Sequence, residues 1–262
     1  MGRVTVRRRV TRVDAGTVVE RPDTLAVEEP LEIRVDASAV SVTMRTPGHD
    51  LDLALGFLVT EGLVRSPADI AGAISCADNV VDVALSTPLP ELSVRRNFYT
   101  TSSCGMCGKA SIDAVRTTSP YDVATDPLAI RSNVLVRLPD RLREAQRVFD
   151  RTGGLHAAGL FTDEGELLCL REDVGRHNAV DKVVGWAAQD GRLPLRGTIL
   201  QVSGRASFEL VQKAVMAGIP ALAAVSAPSS LAVELAAETG MTLVGFLRGT
   251  SFNVYTGQAR IR

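Results

Sequence analysis

The chain is 262 residues long, 45% apolar, and carries 29 basic against 30 acidic side chains for a formal net charge of −1. That composition suits an ordinary globular protein of one large domain or two modest ones, and it excludes a disordered chain or a coiled coil. With 4% aromatic residues and no positive excess, it also argues against a surface that tracks or stacks on nucleic acid.

Met1 to Arg12 is rich in arginine and valine but lacks the continuous apolar core of a signal peptide, and no later run reaches membrane-spanning length. A cytoplasmic protein is expected, with no membrane or nucleic-acid partner. Four cysteines without a framework of regular spacings fit a reducing compartment. From Thr17 to about Val42, short alternations (Leu31, Ile33, Val35; Val40, Val42) punctuated by Pro22 and Pro30 predict strands. Asp50 to Gly62 predicts a helix, because Leu51, Ala54, Leu55 and Leu58 recur at helical spacing and Gly62 supplies a stop. Strand-like segments follow near Val80 to Leu85 and Leu92 to Arg95.

Between Tyr121 and Ser132 the periodicity falls away beside Pro120 and Pro127, which predicts a boundary between an N-terminal lobe (1–125) and a C-terminal lobe (126–262). In the second lobe Asp140 to Arg151 predicts a helix. Ala158 to Phe161 and Leu167 to Leu170 predict a hairpin across Asp163-Glu164-Gly165, and Asn178 to Ala188 predicts another helix. Strand and helix then alternate: Thr198 to Val202, Ser207 to Ala217, Ile219 to Val225, Ser229 to Thr239 and Thr242 to Leu247. The expected fold class is mixed α/β, with a smaller strand-rich N-terminal lobe and a C-terminal α/β layer of parallel strands.

Cys104 and Cys107 stand in TSSCGMCGKA (Thr101 to Ala110), a C-x-x-C held between glycines. Two thiols at this spacing can share a metal, form a reversible disulfide or pass a sulfane sulfur, and each use needs thiolate character. Lys109 and the helix opening predicted just after it would supply positive charge. A structural zinc site is the competing reading. It loses ground because Cys76, Cys169, His49, His156 and His177 are isolated and none completes a ligand pair. No permanently bound metal is expected.

In α/β layers ligands collect beyond the carboxyl ends of strands, at loops leading into helix N-termini. Ser203-Gly204-Arg205, Ser226 to Ser230, and the closing run Phe246-Leu247-Arg248-Gly249-Thr250-Ser251 occupy such positions and supply hydroxyls, arginines and backbone N–H groups for an anion. The plainer alternative at each is a serine capping a helix and a solvated arginine. None is a Walker loop or a G-x-G-x-x-G fingerprint. His156, in GGLHAAGLF, invites comparison with the H-x-E motif of zinc deaminases, but Ala158 stands where the proton-carrying glutamate belongs. His156 therefore reads either as a ligand-binding or proton-shuttling side chain or as an oriented structural histidine. The charge-dense run Arg171 to Lys182 reads either as a surface ion-pair loop or as a cleft wall directing Asp173, Arg176 and His177 at a polar ligand.

Taken together, LGFLVTEGLV near Leu55, TSSCGMCG around Cys104, GGLHAAGLF, REDVGRHNAVDK, SGRASFELVQKA and GFLRGTSFNVYTG resemble the FdhD family of sulfurtransferases required for formate dehydrogenase maturation. The likeness runs over nearly the whole chain. It implies a deaminase-like α/β fold in the larger lobe, a homodimer, and a protein that takes sulfur from a cysteine desulfurase to the molybdenum bis(molybdopterin guanine dinucleotide) cofactor of formate dehydrogenase. By the same resemblance Cys104 is the persulfide carrier, Cys107 its partner, and Phe246 to Ser251 the cofactor segment, a pattern only loosely kept here. The cofactor's guanine ends are then expected to meet Ser203, Arg205, Arg248 and Thr250. Two other readings belong to different classes: a binding protein that shelters the cofactor without transferring sulfur, and a zinc-dependent nucleotide hydrolase.

Overall fold

The computed structural model describes residues 3–87, the two-residue strand at 98–99 and residues 118–262. Its arginine-rich beginning is a ribbon: β1 (Thr5–Asp14) pairs antiparallel with β2 (Thr17–Ala26). The two-residue turn at Ala15 and Gly16 has positive φ at both positions, the geometry that matches strand twist in tight hairpins. Most of the ribbon is exposed, and its base is held where Arg151 donates to the hydroxyl of the buried Thr5 at 3.0 Å.

The alternation around Leu31 forms β3 (Glu29–Val35), whose Leu31, Ile33 and Val35 are buried. It pairs antiparallel with β4 (Ser38–Arg45), which leads into α1 (Asp50–Thr60). β5 (Ile70–Ala77), β6 (Val80–Leu85) and β7 (Phe98–Tyr99) complete a five-stranded sheet of order β5-β6-β3-β4-β7. The strand expected near Leu92 to Arg95 lies outside the described residues.

After α2 (Ser132–Leu135), the helix expected over Asp140 to Arg151 is two helices, α3 (Leu138–Ala145) and α4 (Arg147–Thr152). The break is at Gln146, which leaves helical geometry (φ −79°, ψ 74°). Its cause is Glu172, whose carboxylate accepts from the backbone N–H groups of Val148 and Phe149 at 2.9 and 2.7 Å and so caps a new helix start.

β8 (His156–Thr162) and β9 (Leu167–Asp173) form the expected hairpin, followed by α5 (Arg176–Gln189), β10 (Thr198–Val202), α6 (Phe208–Met216), β11 (Ala221–Ala224), α7 (Ser230–Glu238), β12 (Thr242–Arg248) and β13 (Ser251–Thr256). The six-stranded sheet runs β13-β12-β11-β10-β8-β9. Only its centre, β10-β11-β12, is parallel, while β8, β9 and β13 join antiparallel. The strands expected to be parallel, β10, β11 and β12, are so, and the expected hairpin and β13 extend them into a mixed sheet with antiparallel edges.

Alternate residues of its central strands serve two cores. Leu200, Leu222 and Leu243 pack on the side of α5 and α6, whereas Ile199, Ala223 and Val244 pack against α2 and α3 through Leu135, Leu138 and Leu142. The first core also contains Leu31, Ile33, Leu53 and Leu58, so the N-terminal sheet and α1 are buried against α5 and α6. At the crossing of α1 and α5, Gly56 and Gly185 bring backbone against backbone: a Cβ on Gly56 would lie 1.8 Å from the Asp181 carbonyl oxygen.

Buried ion pairs join the same layers. Lys213 on α6 donates to Asp181 on α5 (2.9 and 3.0 Å) and to Thr60 at the end of α1 (2.9 Å). Burial acts to lower the Lys213 ammonium, but the Asp181 and Glu61 carboxylates outweigh it and hold the group above the ordinary lysine value. Lys182 bonds Asp173 at 2.7 Å and the Thr46 carbonyl at 2.8 Å. Asp173 is fully buried and also accepts from the N–H groups of Thr46 and Gly175 and from the Asn178 amide. This corrects both readings of the Arg171 to Lys182 run for that residue: Asp173 is neither a surface ion nor turned to a ligand, because its oxygens are taken up inside the core. No helix among the described residues is long and apolar enough to cross a membrane.

Candidate functional site

The carboxyl ends of β10, β11 and β12 meet the start of β8 at one cleft of about 680 Å³. Of the residues expected to bind a cofactor, His156, Ser203, Leu247, Arg248 and Gly249 line it. Arg205, Phe246, Thr250 and Ser251 lie outside the lining; all four are exposed.

The closing segment is also less of a loop than its sequence suggests. Arg248 pairs with Ser251 across the corner between β12 and β13, leaving only Gly249 and Thr250 between the strands. Leu247 turns into the second core and is fully buried. At the register shift between Gly245 and Arg248, Phe246 adopts φ 52°, a left-handed conformation that is strained for a bulky side chain and concentrates at functional corners.

Arg248 is held from two sides. Its Nε donates to the Val225 carbonyl at 3.0 Å, and its guanidinium carbon stands 5.6 Å from the Phe246 ring centroid. The Nη groups have no hydrogen-bond partner among the described residues, so the fork remains available to an anion. Ser203 Oγ accepts from the Ala157 N–H at 2.9 Å, which fixes the oxygen and leaves the hydroxyl proton to donate.

Burial pushes the His156 imidazole below the ordinary histidine value, and Arg176 and His177 push the same way against the opposing charge of Asp173. The folded protein therefore favours the neutral ring. Stability should be complete above about pH 6.5, fall as the unfolded chain alone takes up the proton, and level off below the lowered folded value. Urea unfolding at pH 7.5 and 5.5 should show this loss in the parent and a smaller one in His156→Gln. Equal losses would remove His156 from the pH dependence.

His177, at the start of α5, is buried with its Nε2 3.8 Å from a Glu209 carboxylate oxygen. Burial would raise the Glu209 carboxyl, but interaction with His177 and Ser207 holds it at about 2. His177 is absent from the cleft lining.

The opposite cleft wall, including Asp140, Arg143, Gln146 and Phe149 on and between α3 and α4, was not marked by the sequence. Its local pattern is that of an ordinary amphipathic helix. What turns it to the cleft is Glu172, a distant residue in β9.

Cys104 and Cys107 lie outside the described residues. The preceding strand β7 pairs with Ser41 and Val42 of β4, and past residue 117 the hydroxyl of Ser119 donates to the Val215 carbonyl on α6. Of the other two thiols, Cys76 is exposed in β5 and Cys169 is buried, its pKa pushed up to about 12 chiefly by that burial. No group of three or more His, Cys, Asp or Glu side chains among the described residues could hold a metal ion.

Sequence relatives extend along the whole chain. A sulfur carrier protein FdhD of Streptomyces avermitilis is 62% identical, the alignment covering 100% of this chain and 97% of the relative. Proteins of the same name are 56% identical in Mycobacterium tuberculosis, with 100% of both chains covered, and 46% identical in Sulfolobus acidocaldarius, with 97% of both covered. A crystal structure from Desulfotalea psychrophila, described as a formate dehydrogenase accessory protein, has the same fold: TM-score 0.80 over 99% of this chain and 100% of that one, at 22% identity. The FdhD/NarQ family profile matches residues 26–262, and with relatives this similar over their full length the chain belongs to the FdhD/NarQ family.

Proposed function

We propose that this chain is a sulfur carrier in formate dehydrogenase maturation, loading sulfane sulfur from a cysteine desulfurase onto Cys104 and delivering it to the molybdenum of the bis(molybdopterin guanine dinucleotide) cofactor. The observation that carries the reading is the end-to-end match to relatives named sulfur carrier proteins, in a chain with one closely spaced cysteine pair.

In the loading step the Cys104 thiolate attacks the outer sulfur of the desulfurase persulfide, a new S–S bond forms, and the desulfurase cysteine leaves as thiolate. For delivery, Cys107 attacks the inner sulfur of the Cys104 persulfide. The two cysteines become a disulfide while the outer sulfur departs, reduced to sulfide, to the metal. An external thiol must then reduce the disulfide for another cycle. The client cofactor is bound through its nucleotide end in the cleft of His156, Ser203, Arg248 and Gly249, so that proximity supplies most of the rate. On the family resemblance the carrier works as a homodimer. Whole-protein mass measurement after incubation with a cysteine desulfurase and cysteine tests the reading: one added sulfur supports it, and an unchanged mass overturns it.

The cleft makes its own prediction. Losing one charge-assisted phosphate contact costs roughly 1.5 to 3 kcal/mol, so Arg248→Ala should weaken GDP binding by about one to two orders of magnitude. Calorimetric titration with GDP reads this directly, and equal affinities for parent and variant would take Arg248 out of the site.

A further inference from the structure

We propose that the cleft wall formed by α3 and α4 reads the guanine base, with Asp140 accepting from the N1–H and N2–H₂ edge and Phe149 as the ring's packing surface. The inference rests on the reading above that this cleft takes the guanine nucleotide end of the client cofactor.

The two walls differ in chemistry. Arg248, Ser203 and Gly249 supply a cation, a hydroxyl and an unhindered backbone at strand ends, the groups that meet phosphate. The other wall of the same space is lined by Asp140, Arg143, Gln146 and Phe149. The cleft, at about 680 Å³, has room for a nucleoside as well as its phosphates.

A carboxylate there would repel phosphate and suits a donor edge instead. Asp140 has no ion pair or hydrogen bond to another described residue. Arg143, one turn further along α3, is instead paired with Asp150 and lies 4.7 Å over the Phe149 ring. The acceptor therefore remains open. Ionised, it can take two parallel charge-assisted hydrogen bonds, and guanine offers two adjacent donors on its N1/N2 edge where adenine presents an acceptor and a C–H. Gln146, though 3% exposed, also lines the cleft, and its amide can donate to the base's O6 or N7. The helix break at Gln146, imposed by Glu172, is what brings Gln146 and Phe149 to this wall.

The test is calorimetric titration of parent, Asp140→Asn and Arg248→Ala with GDP, IDP, XDP and ADP. The parent should bind GDP at least about tenfold more tightly than IDP, which lacks the 2-amino group, and than ADP. Asp140→Asn should lose about tenfold or more for GDP and shift its preference towards XDP, whose C2 carbonyl accepts from the new amide. Arg248→Ala should weaken all four diphosphates alike. If Asp140→Asn binds GDP as the parent does while Arg248→Ala does not, the base assignment is wrong and the cleft reading stands. If the parent binds no nucleotide, the cleft reading fails and this assignment with it.

Discussion

Cys104→Ala should accept no sulfur from a cysteine desulfurase and should leave formate dehydrogenase inactive, while Cys76→Ala and Cys169→Ala load as the parent does. The contrast follows from thiolate supply, since only the thiolate attacks a persulfide. At a pKa of about 12 the Cys169 thiol is ionised in roughly one molecule in 10⁵ at neutral pH, and it is buried among apolar side chains besides. Cys76 is accessible but single, its sulfur 3.9 Å from the Val80 carbonyl and with no second thiol close in sequence to release a bound sulfur. Cys104 has Cys107 at C-x-x-C spacing, with Lys109 five residues on in the sequence. Mass measurement of each variant after the desulfurase reaction decides the matter. A Cys104→Ala protein that gains as much sulfur as the parent would move the carrier elsewhere. Cys107→Ala separates loading from release: it should gain the sulfur and keep it, because the attack that frees the outer atom is gone.

What the sequence disclosed about this fold depended on how each pattern is buried. Leu31, Ile33 and Val35 announce β3 because one face of that strand is sealed and the other is not. The run from Thr198 to Leu247 is legible for a different reason: its short apolar strands are covered on both faces, and each is separated by a helix of ordinary length. β1 left no such trace, since a ribbon exposed on both sides needs no alternation. The break at Gln146 and the interior place of Asp173 were hidden because each is decided by a partner elsewhere, Glu172 in the first case and Lys182 with Thr46 in the second. Within the site, the strand-end rule found Ser203 and Arg248. It could not find Asp140 or Phe149, which face the cleft from helices on the other side of the chain's path. Thr250 and Ser251 follow the same rule in sequence yet fall outside the lining, because β12 and β13 continue their pairing to the corner, and Arg205, in the turn after β10, is exposed outside it as well.

Gly56 and Gly185 show how far a sequence pattern can mislead, and they carry the largest stability effect expected here. A glycine inside a helix normally gains about 1 kcal/mol on replacement by alanine, so both positions look like easy sites for stabilisation. The crossing of α1 and α5 reverses that sign. A Cβ on Gly56 would stand 1.8 Å from the Asp181 carbonyl oxygen and 2.9 Å from the Gly185 nitrogen, and one on Gly185 would stand 1.7 Å from the Asp52 carbonyl oxygen. Every one of these contacts is backbone, with no flexible side chain to swing aside. The helices would have to separate, opening the core where Leu53 and Leu58 pack with Val180 and Val184 and pulling Thr60 from Asp181. Such overpacking should cost on the order of 4 kcal/mol or more, a large part of a typical domain's 5 to 15 kcal/mol. Gly56→Ala and Gly185→Ala should each unfold at much lower urea concentration than the parent, and Gly72→Ala, where a Cβ meets nothing within 4 Å, should stay close to it. A Gly56→Ala midpoint equal to that of Gly72→Ala would mean that the two helices do not cross this closely, and the packing that joins the N-terminal sheet to the cleft-bearing sheet would need a different account.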